Sequence, residues 1–472
     1  MLTSKPLPNT VAGAALRRDG DAAPAADGGQ SLRLVFLWLL GGDFAFTFFE
    51  QIFGRFIPIF AADLHASNTL IGLMTGSIAG LANLFVLPVV SVRSDRHRGR
   101  LGRRIPFLLW ATPCAVGSLV LVGFAPEIGR GLHALAGERA TFTETNLTLG
   151  LLCAFVVSYH LWNMVLVNAY NWLIRDVVPS DVRGRFLSWF RVVGTTASFI
   201  FLWVIFPQLS AHRREVFVGI GVCYTAAFLL MCWKVKEPVH APPPAAQPGV
   251  FRMYGSYFRE CLALPLYRHY FFAYVLMVAA VASAGPFTTL FARQTIGLSM
   301  DDLGKVTACS TLVGALSLVP MGWACDRFKP IRVALVGIAG GGAAAVLALL
   351  FVHDRGAWWV YALLSAVPAC AWSLGSSTLT MELFPAERFG QFAGGLNVFG
   401  YGGLVAGNYL MGVFMDRTGS RYELAFAWSA VLTILALVPM WRVLREWHHH
   451  GGPQHYVPPL PPGMAAGYVE RS

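Results

Sequence analysis

Long apolar runs separated by short polar segments dominate this chain. A helix needs about twenty mostly apolar residues to cross a bilayer, and twelve runs come close to that length or exceed it. The pattern therefore predicts an all-α membrane protein with twelve transmembrane helices. The predicted spans are Leu34–Phe60, Leu70–Val92, Ile105–Phe124, Leu147–Trp172, Phe186–Phe206, Val216–Trp233, Tyr270–Phe291, Val306–Ala324, Val333–Val352, Trp358–Leu379, Phe392–Met415 and Ala425–Val443.

A polar segment divides the spans into two sets of six. It contains Pro242-Pro243-Pro244 and several charged residues, so it is too polar to span and is expected to form a linker. The predicted organisation is an N-terminal tail at residues 1–32, a six-helix bundle at 33–234, the linker at 235–268, a second six-helix bundle at 269–445 and a C-terminal tail at 446–472.

Composition supports this interpretation and excludes several classes of protein. The chain is 56% hydrophobic and only 13% charged, whereas a soluble domain normally has about a quarter charged residues. The eight cysteines lie mostly in apolar runs without paired spacing, so neither a disulfide framework nor a metal site is predicted. The glycine clusters follow no strand and no Walker-type sequence is present, so no nucleotide or other cofactor is expected. The net charge of +11 is attributed to membrane topology and not to nucleic acid.

Loop charges predict the orientation of the chain. The segment after the second span has six arginines against Asp95, whereas the segment after the third span has two arginines against three glutamates. The positive-inside rule places the first of these segments in the cytoplasm. Both termini and the linker are then cytoplasmic, and the expected location is a plasma membrane, with a weak indication of a bacterial inner membrane.

The two halves repeat each other at corresponding places. Asp95-Arg96 ends the second span and Asp326-Arg327 ends the eighth. After the fourth and tenth spans, an acid, a proline, a second acid, a glycine and a phenylalanine recur at the same offsets, in the segments 176–186 and 382–392. These matches indicate an internal duplication of six helices.

The run between the second and third spans resembles a known signature. Ser94-Asp95-Arg96 through Gly102-Arg103-Arg104 is similar to the signature loop of the major facilitator superfamily, and the extension through Ile105-Pro106-Phe107 resembles the sucrose transporters and the glycoside–pentoside–hexuronide:cation symporters. The resemblance implies two six-helix bundles around a binding site near the membrane midplane. It implies a carrier of small solutes and not an enzyme, and the spans show no clustered nucleophile, base or metal set.

Charged residues inside the predicted spans are the first candidates for the site. Each costs roughly 2.5–3.5 kcal/mol at a helix centre and so needs a partner or a water-filled cavity. Asp43 and Glu50 are two turns apart on one face of span one. By resemblance to the glycoside symporters, Asp43 and Arg191 in span five would face each other and bind sugar hydroxyls. Asp43 and Glu50 are also the candidates for carrying a coupling proton.

Polar and aromatic residues on other spans complete the predicted binding site. Asn168 and Asn171 in span four are expected to face the cavity, with interhelical hydrogen bonding as the alternative. Trp372, Asn397 and Tyr401 could supply an aromatic face and polar groups for a neutral polyol. Ordinary helix packing is the alternative for each of these.

The duplicated loops are expected to hold the cytoplasmic ends of the two bundles together and so to act as a gate. The predicted gating residues, with topology alone as the alternative role, are Asp95, Arg96, Arg103, Arg104, Asp176, Asp181, Arg185, Asp326, Arg327, Glu382 and Glu387.

The prediction is a secondary carrier of a mono- or disaccharide that works by alternating access in the lipid bilayer. Proton symport is favoured over sodium symport, because the segment around Asn83 has no acidic residue where the glycoside symporters have one. A uniporter, a carrier of a drug, peptide or organic anion, and a non-transporting sensor remain as alternatives. The sequence names neither the sugar nor the direction of transport.

Overall fold

The computed structural model describes residues 32–137, 142–238, 255 and 259–459. Within that part the chain has twelve helices long and apolar enough to span a membrane, and it has no β-strand. The prediction of an all-α protein with twelve spans is therefore confirmed. The helices are α1 Leu32–Asp63, α2 Asn68–Phe85, α3 Ile105–Gly123, α4 Glu144–Val177, α5 Arg183–Ser210, α6 Arg213–Lys234, α7 Pro265–Thr295, α8 Met300–Phe328, α9 Pro330–Phe351, α10 Arg355–Leu383, α11 Ala386–Arg417 and α12 Leu424–His449.

Several helices begin before the apolar runs that predicted them, because polar residues cap their N-termini. The side chains of Ser67, Thr143, Ser299 and Asp354 each accept the backbone N–H three residues later, at the starts of α2, α4, α8 and α10. Such a cap satisfies one of the free amides of the first helical turn. The observed helices therefore begin a few residues earlier than hydrophobicity alone indicates.

Short connections make successive spans antiparallel, which gives the molecule two distinct ends. A short helix, Leu87–Arg96, continues α2. We call the end that holds the connections after Arg96, Val177, Lys234, Phe328 and Leu383 the linker face. The opposite end, with the connections after Asp63, Gly123, Ser210, Thr295 and Phe351, is the distal face. The predicted orientation makes the linker face cytoplasmic.

The buried apolar core shows that the two bundles are joined on one side only. Residues at the distal ends of the second bundle, among them Phe291, Trp358 and Phe426, belong to the same buried cluster as the core of the first bundle. Residues nearer the linker face, among them Tyr270, Phe384 and Trp447, form a separate cluster. The bundles therefore share a core at the distal face and separate toward the linker face.

Part of the predicted C-terminal tail packs against the second bundle. Helix α12 continues to His449, and Trp447 is fully buried. The Tyr456 hydroxyl donates to the Leu383 carbonyl at 2.9 Å, and the Tyr267 hydroxyl donates to the Pro459 carbonyl at 2.8 Å. Residues 446–459 therefore extend the domain beyond the predicted boundary at 445. Residues 1–31 of the predicted N-terminal tail, most of the predicted linker and residues 460–472 lie outside the described part.

Candidate functional site: a central cavity between the bundles

A cavity of about 800 Å³ lies between the two bundles, a volume in the range of small-molecule sites. Helices α1, α2 and α4 of the first bundle supply most of its polar groups, and α7 and α11 supply the wall from the second bundle. The polar lining residues are Glu50, Gln51, Arg55, Thr75, Asn83, Tyr159, His160, Asn163, Asn168, Asn171, Thr289 and Tyr401. Four predicted binding residues are thus brought together: Glu50, Asn168, Asn171 and Tyr401.

Contacts between α2 and α11 close this cavity toward the distal face. Glycines allow the two backbones to touch: a Cβ at Gly72 would collide with the carbonyl oxygen of Asn408, and a Cβ at Gly412 would lie 2.6 Å from the carbonyl oxygen of Asn68. The Ser77 hydroxyl donates to the Val405 carbonyl at 2.9 Å. Close approach at glycines is a common way for membrane helices to pack. Here it seals one end of the cavity.

A second contact closes the distal face between α5 and α8. Gly304, in the first turns of α8, lies directly against the carbonyl oxygen of Leu202 in α5, where no side chain would fit. The α5 backbone at this point forms a π-helical turn, Phe201–Ile205. Since both closures are distal, and the cores separate toward the linker face, the cavity opens toward the linker face.

Glu50 is the acidic residue of the cavity wall. Its side chain is exposed to the open space although it lies in the middle of α1, far from either end of the span. The Asn163 side chain of α4 lies close to the Glu50 carboxylate, and the Asn163 Oδ1 atom is buried without a partner. No cationic side chain of the described chain pairs with Glu50 within 4 Å, which leaves its carboxylate available to a proton or a ligand.

Arg55 and His160 lie deeper in the cavity, nearer the distal seal. The described residues give Arg55 no ion pair and no hydrogen bond, so its guanidinium is an unpaired donor in the lining. The His160 Nε2 atom lies 2.8 Å from the Met74 carbonyl oxygen, and its ring packs edge-on against Phe53. The sequence analysis did not select Arg55 or His160 for the site, because a single basic residue in a span has several structural explanations.

Three asparagines present their side-chain oxygens as acceptors. The Nδ2 atoms of Asn83, Asn168 and Asn171 each donate to the backbone carbonyl four residues earlier, at 2.8–2.9 Å. This back-bonding uses one amide proton and leaves the side-chain oxygen. Hydroxyl groups of a ligand are suitable donors for these oxygens. Asn83 was noted in the sequence only as a position without an acid, so its place in the lining was missed.

Asp43 lies on the same helix as Glu50 but not in the cavity lining. It is only 4% exposed, and its Oδ2 atom has no hydrogen-bond partner. The nearest part of α5 is Gly194, whose Cβ position would be 3.4 Å from that oxygen. Arg191 is one turn away on α5 and is exposed, and no ion pair joins it to Asp43 in the described chain. The predicted pairing is thus not formed in this state, and sugar binding by the two residues stays a prediction.

Trp372 and Asn397 of the predicted site do not line the cavity. The backbone of Trp372 lies against Gly337 of α9, so that tryptophan belongs to the helix packing of the second bundle. Asn397 is exposed one turn before Tyr401 on α11, but only Tyr401 reaches the lining. The cavity wall from the second bundle is mostly apolar, because Val281, Ala282 and Pro286 contribute to it.

The gating residues of the first bundle form one charged cluster within that bundle. Arg103 binds Asp176 through two hydrogen bonds of 2.7 and 3.0 Å, and Arg104 bridges Asp95 at 2.5 Å and Asp176 at 3.3 Å. Glu237, which the sequence analysis did not single out, accepts the backbone amides of residues 103, 104 and 105 at 2.6–2.7 Å. It therefore caps the start of α3.

The other predicted gating residues form no ion pair within 4 Å in the part of the chain that the structure describes. These are Arg96, Asp181, Arg185, Asp326, Arg327, Glu382 and Glu387. The second bundle has instead a local cluster in which the Glu260 carboxylate accepts from Arg388 at 3.0 Å and from Gln391 at 2.6 Å. None of these pairs crosses between the bundles, as expected for a structure open at the linker face. A gating role in the opposite state remains a prediction.

Comparisons with known proteins agree with this architecture. Residues 270–461 match the family model of the Major Facilitator Superfamily. A general alpha-glucoside permease of Schizosaccharomyces pombe is 31% identical over 150 residues, which are 30% of this chain and 26% of the permease. The chain thus matches only about a quarter of that curated relative.

Solved structures match over most of the chain. A bacterial homologue of the iron transporter ferroportin in an inward-facing state has a TM-score of 0.65 at 15% identity, covering 88% of this chain and 99% of the homologue. A D-xylose-proton symporter has a TM-score of 0.62 at 13% identity, covering 88% and 98%. At these identities the likeness concerns the fold. The chain therefore has the twelve-helix fold of these transporters, and its second half, residues 270–461, matches the family model of the Major Facilitator Superfamily.

Proposed function

We propose that the protein is a secondary transporter that moves a sugar, a mono- or disaccharide, across the membrane by alternating access. The observation that carries this proposal is a cavity between two bundles, closed at the distal face and open at the linker face. Its polar lining is mainly amides and hydroxyls, with one carboxylate, one guanidinium and one imidazole. A neutral polyol presents donors and acceptors in all directions. The oxygens of Asn83, Asn168 and Asn171 would accept from its hydroxyls, and Tyr401 would offer a ring face and a hydroxyl.

Two of the similar proteins support a sugar as cargo. One is named as an alpha-glucoside permease and another as a xylose–proton symporter. The mostly apolar wall from α7 and α11 would suit the less polar face of a sugar ring while the first bundle binds its hydroxyls. Because most hydrogen bonds to the sugar would come from the first bundle, the second bundle could move away from the sugar without breaking many of them.

Glu50 is the proposed coupling residue. It is a carboxyl group within the membrane, open to the cavity, and unpaired with any cation in the described chain. Such a group can take up a proton together with cargo and release it at the other side. Asp43 remains a second candidate, because its buried Oδ2 atom has no partner. Sodium is the less favoured ion, and the described residues hold no group of three acidic, histidine or cysteine side chains placed for a metal.

The test is uptake by purified protein in liposomes. A panel of labelled mono- and disaccharides is supplied with and without an inward proton gradient, in the absence of sodium. Uptake of at least one sugar that rises with the gradient supports proton symport. Sugar uptake that ignores the gradient indicates a uniporter, or a sodium requirement if adding sodium raises it. Folded protein that takes up no sugar under any of these conditions contradicts the proposed cargo.

One observation favours a second candidate, a carrier of an organic anion. Arg55 is an unpaired guanidinium in the cavity lining, and a guanidinium is well suited to bind a carboxylate or phosphate. Adding sugar acids and simple organic acids to the uptake panel separates the two proposals. Transport of acids with no transport of neutral sugars would favour the second.

A further inference from the structure

A groove on the outer surface of the second bundle lies between α9 and α12, well away from the central cavity. Its volume is about 650 Å³. Its apolar walls are Leu335, Val336, Ala339, Leu437, Val438 and Trp441, and two arginines, Arg442 and Arg445, complete it. The groove thus has an apolar part and a basic part, and it faces the surroundings of the protein.

Along α12 the basic part of the groove lies nearer the linker face and the apolar part lies deeper in the span, which matches the headgroup and acyl chain of a lipid. Arg445 is close to the end of α12 at the linker face, and Leu437 is eight residues deeper, or about 12 Å along the helix. The side chains of Val336, Val438 and Trp441 are 67%, 55% and 60% exposed. In a membrane these apolar surfaces face acyl chains, while the arginines lie near the headgroup level.

The arginines are free to bind an external anion. Neither Arg442 nor Arg445 takes part in an ion pair or hydrogen bond among the described residues, and both are exposed. Glu446 is one turn from Arg442 but does not pair with it within 4 Å. Arg268, at the start of α7, lies near His269 together with Arg442 and adds to the positive charge, which Glu446 offsets in part. The groove therefore combines two unpaired guanidinium groups with apolar walls.

We propose that this groove binds an anionic glycerophospholipid, with its phosphate on Arg442 and Arg445 and an acyl chain along the apolar walls. A free phosphate would satisfy only the arginines and would leave the groove walls unused. A soluble partner helix would need a larger contact area than this short groove offers. The bound lipid would hold α9 against α12, and so stabilise the second bundle independently of the cargo.

The test measures lipid retained by the full-length protein. Protein is reconstituted in nanodiscs of phosphatidylcholine with one-fifth phosphatidylglycerol, extracted gently and analysed by native mass spectrometry. Wild type should retain phosphatidylglycerol in preference to phosphatidylcholine. Arg442→Gln combined with Arg445→Gln should lose this preference by about tenfold or more, since each basic residue at an anionic surface contributes roughly fivefold. The control removes the same charge elsewhere on the linker face, with Arg98→Gln and Arg100→Gln, and should behave as wild type.

Two further arms separate the headgroup from the acyl chain and from a free anion. Ala339→Phe fills the groove but keeps both arginines, so it should reduce retention of phosphatidylglycerol if an acyl chain occupies the groove. Inorganic phosphate at millimolar concentration should not displace the lipid. Equal retention by wild type and the double arginine variant overturns the proposal, as does full displacement by phosphate. Size-exclusion chromatography of each variant shows whether it is folded, and Arg442→Lys with Arg445→Lys should retain the lipid if charge is what matters.

Discussion

Asp416 and Thr69 connect the two bundles at the distal face through one carboxylate. The Asp416 Oδ2 atom accepts the backbone amide of Thr69 at 2.9 Å and its hydroxyl at 2.6 Å. Its Oδ1 atom accepts the backbone amide of Asn68 at 2.7 Å and the Asn68 side-chain amide at 3.0 Å. A residue at the end of α11 thereby caps the first turn of α2, where free amides favour a negative charge. Because the cap joins the two bundles, opening the distal face would break it.

Removing this cap should loosen the closed distal face. Hydrogen bonds to a charged group are worth about 1.5–3 kcal/mol each, so Asp416→Ala should make the amides of residues 68–72 exchange with deuterium at least about tenfold faster. Hydrogen–deuterium exchange followed by mass spectrometry measures this directly. Asp416→Asn should give a smaller change, because it keeps one acceptor.

A matched control for the Asp416 variants is Asp301→Asn at the start of α8. Asp301 also lies at the distal face, but its partner is Lys305 of the same helix, at 2.6 Å. Exchange at residues 68–72 should be unchanged in this control. If the Asp416 variants leave that exchange as slow as in wild type, the carboxylate does not hold the two bundles together.

The contact of Gly72 with Asn408 predicts a different effect on the same seal. Gly72→Val would place a side chain on the Asn408 carbonyl oxygen, and overpacking of this kind costs about 1–3 kcal/mol. The variant should disfavour the state closed at the distal face and slow transport by tenfold or so. Uptake into liposomes by equal amounts of folded protein is the measurement. Gly402→Ala on α11, where a Cβ has open space, is the control and should transport normally.

Glu50→Gln tests the proposed coupling. The amide keeps the shape and much of the hydrogen bonding of Glu50 but cannot release a proton. We expect proton-driven accumulation to be lost, because the amide carries no proton between the two sides, while exchange of labelled for unlabelled sugar continues. The pH dependence of uptake should flatten as well.

Gln51→Asn is the control for that variant, because Gln51 also lines the cavity and its amide donates to the Ser198 hydroxyl at 3.1 Å. It should alter affinity at most and leave coupling intact. Gradient-driven accumulation by Glu50→Gln at the wild-type level would remove Glu50 from the coupling step and direct attention to Asp43.

The Arg103–Asp176–Arg104 cluster predicts a loss of stability. Asp176 has 7% of its side chain exposed and Arg104 has 4%, so Asp176→Ala takes the carboxylate partner from Arg103 and leaves the buried Arg104 with Asp95 alone. Breaking a buried ion pair typically lowers the free energy of unfolding by about 3–5 kcal/mol. Because Arg103 is partly exposed, we expect a loss of about 3 kcal/mol here. Thermal unfolding in detergent should show a clear fall in midpoint.

Asp181→Ala is the control for Asp176→Ala. Asp181 is exposed and makes no ion pair in the described chain, so its removal should change the midpoint little. A midpoint for Asp176→Ala equal to that of Asp181→Ala would show that the cluster serves another purpose than holding the first bundle together.

The sequence by itself determined the number of spans, their order and the duplication of the two halves. This was possible because hydrophobic length is a local property: a run of about twenty apolar residues leaves the backbone no alternative to a helix in lipid. The same reasoning placed Glu50 in the cavity, since a charge in the middle of a span needs a polar surrounding. Hydropathy averaged over a whole span does not show a helix cap such as Ser67, which is a single polar residue. It also does not show that Trp447, beyond the last apolar run, is buried.

Only the tertiary structure decided which side of each helix faces the cavity and which end of the molecule is closed. Asn397 and Tyr401 are one turn apart on α11, yet only Tyr401 lines the cavity, because crossing angles between helices set which faces meet. Asp416 and Thr69 are far apart in the chain, and no sequence pattern around either residue predicts that they touch. Arg103 and Asp176 could be recognised from the sequence as charged residues near the ends of spans. That they pair with each other within one bundle follows from the packing of α3 against α4, which no local pattern encodes.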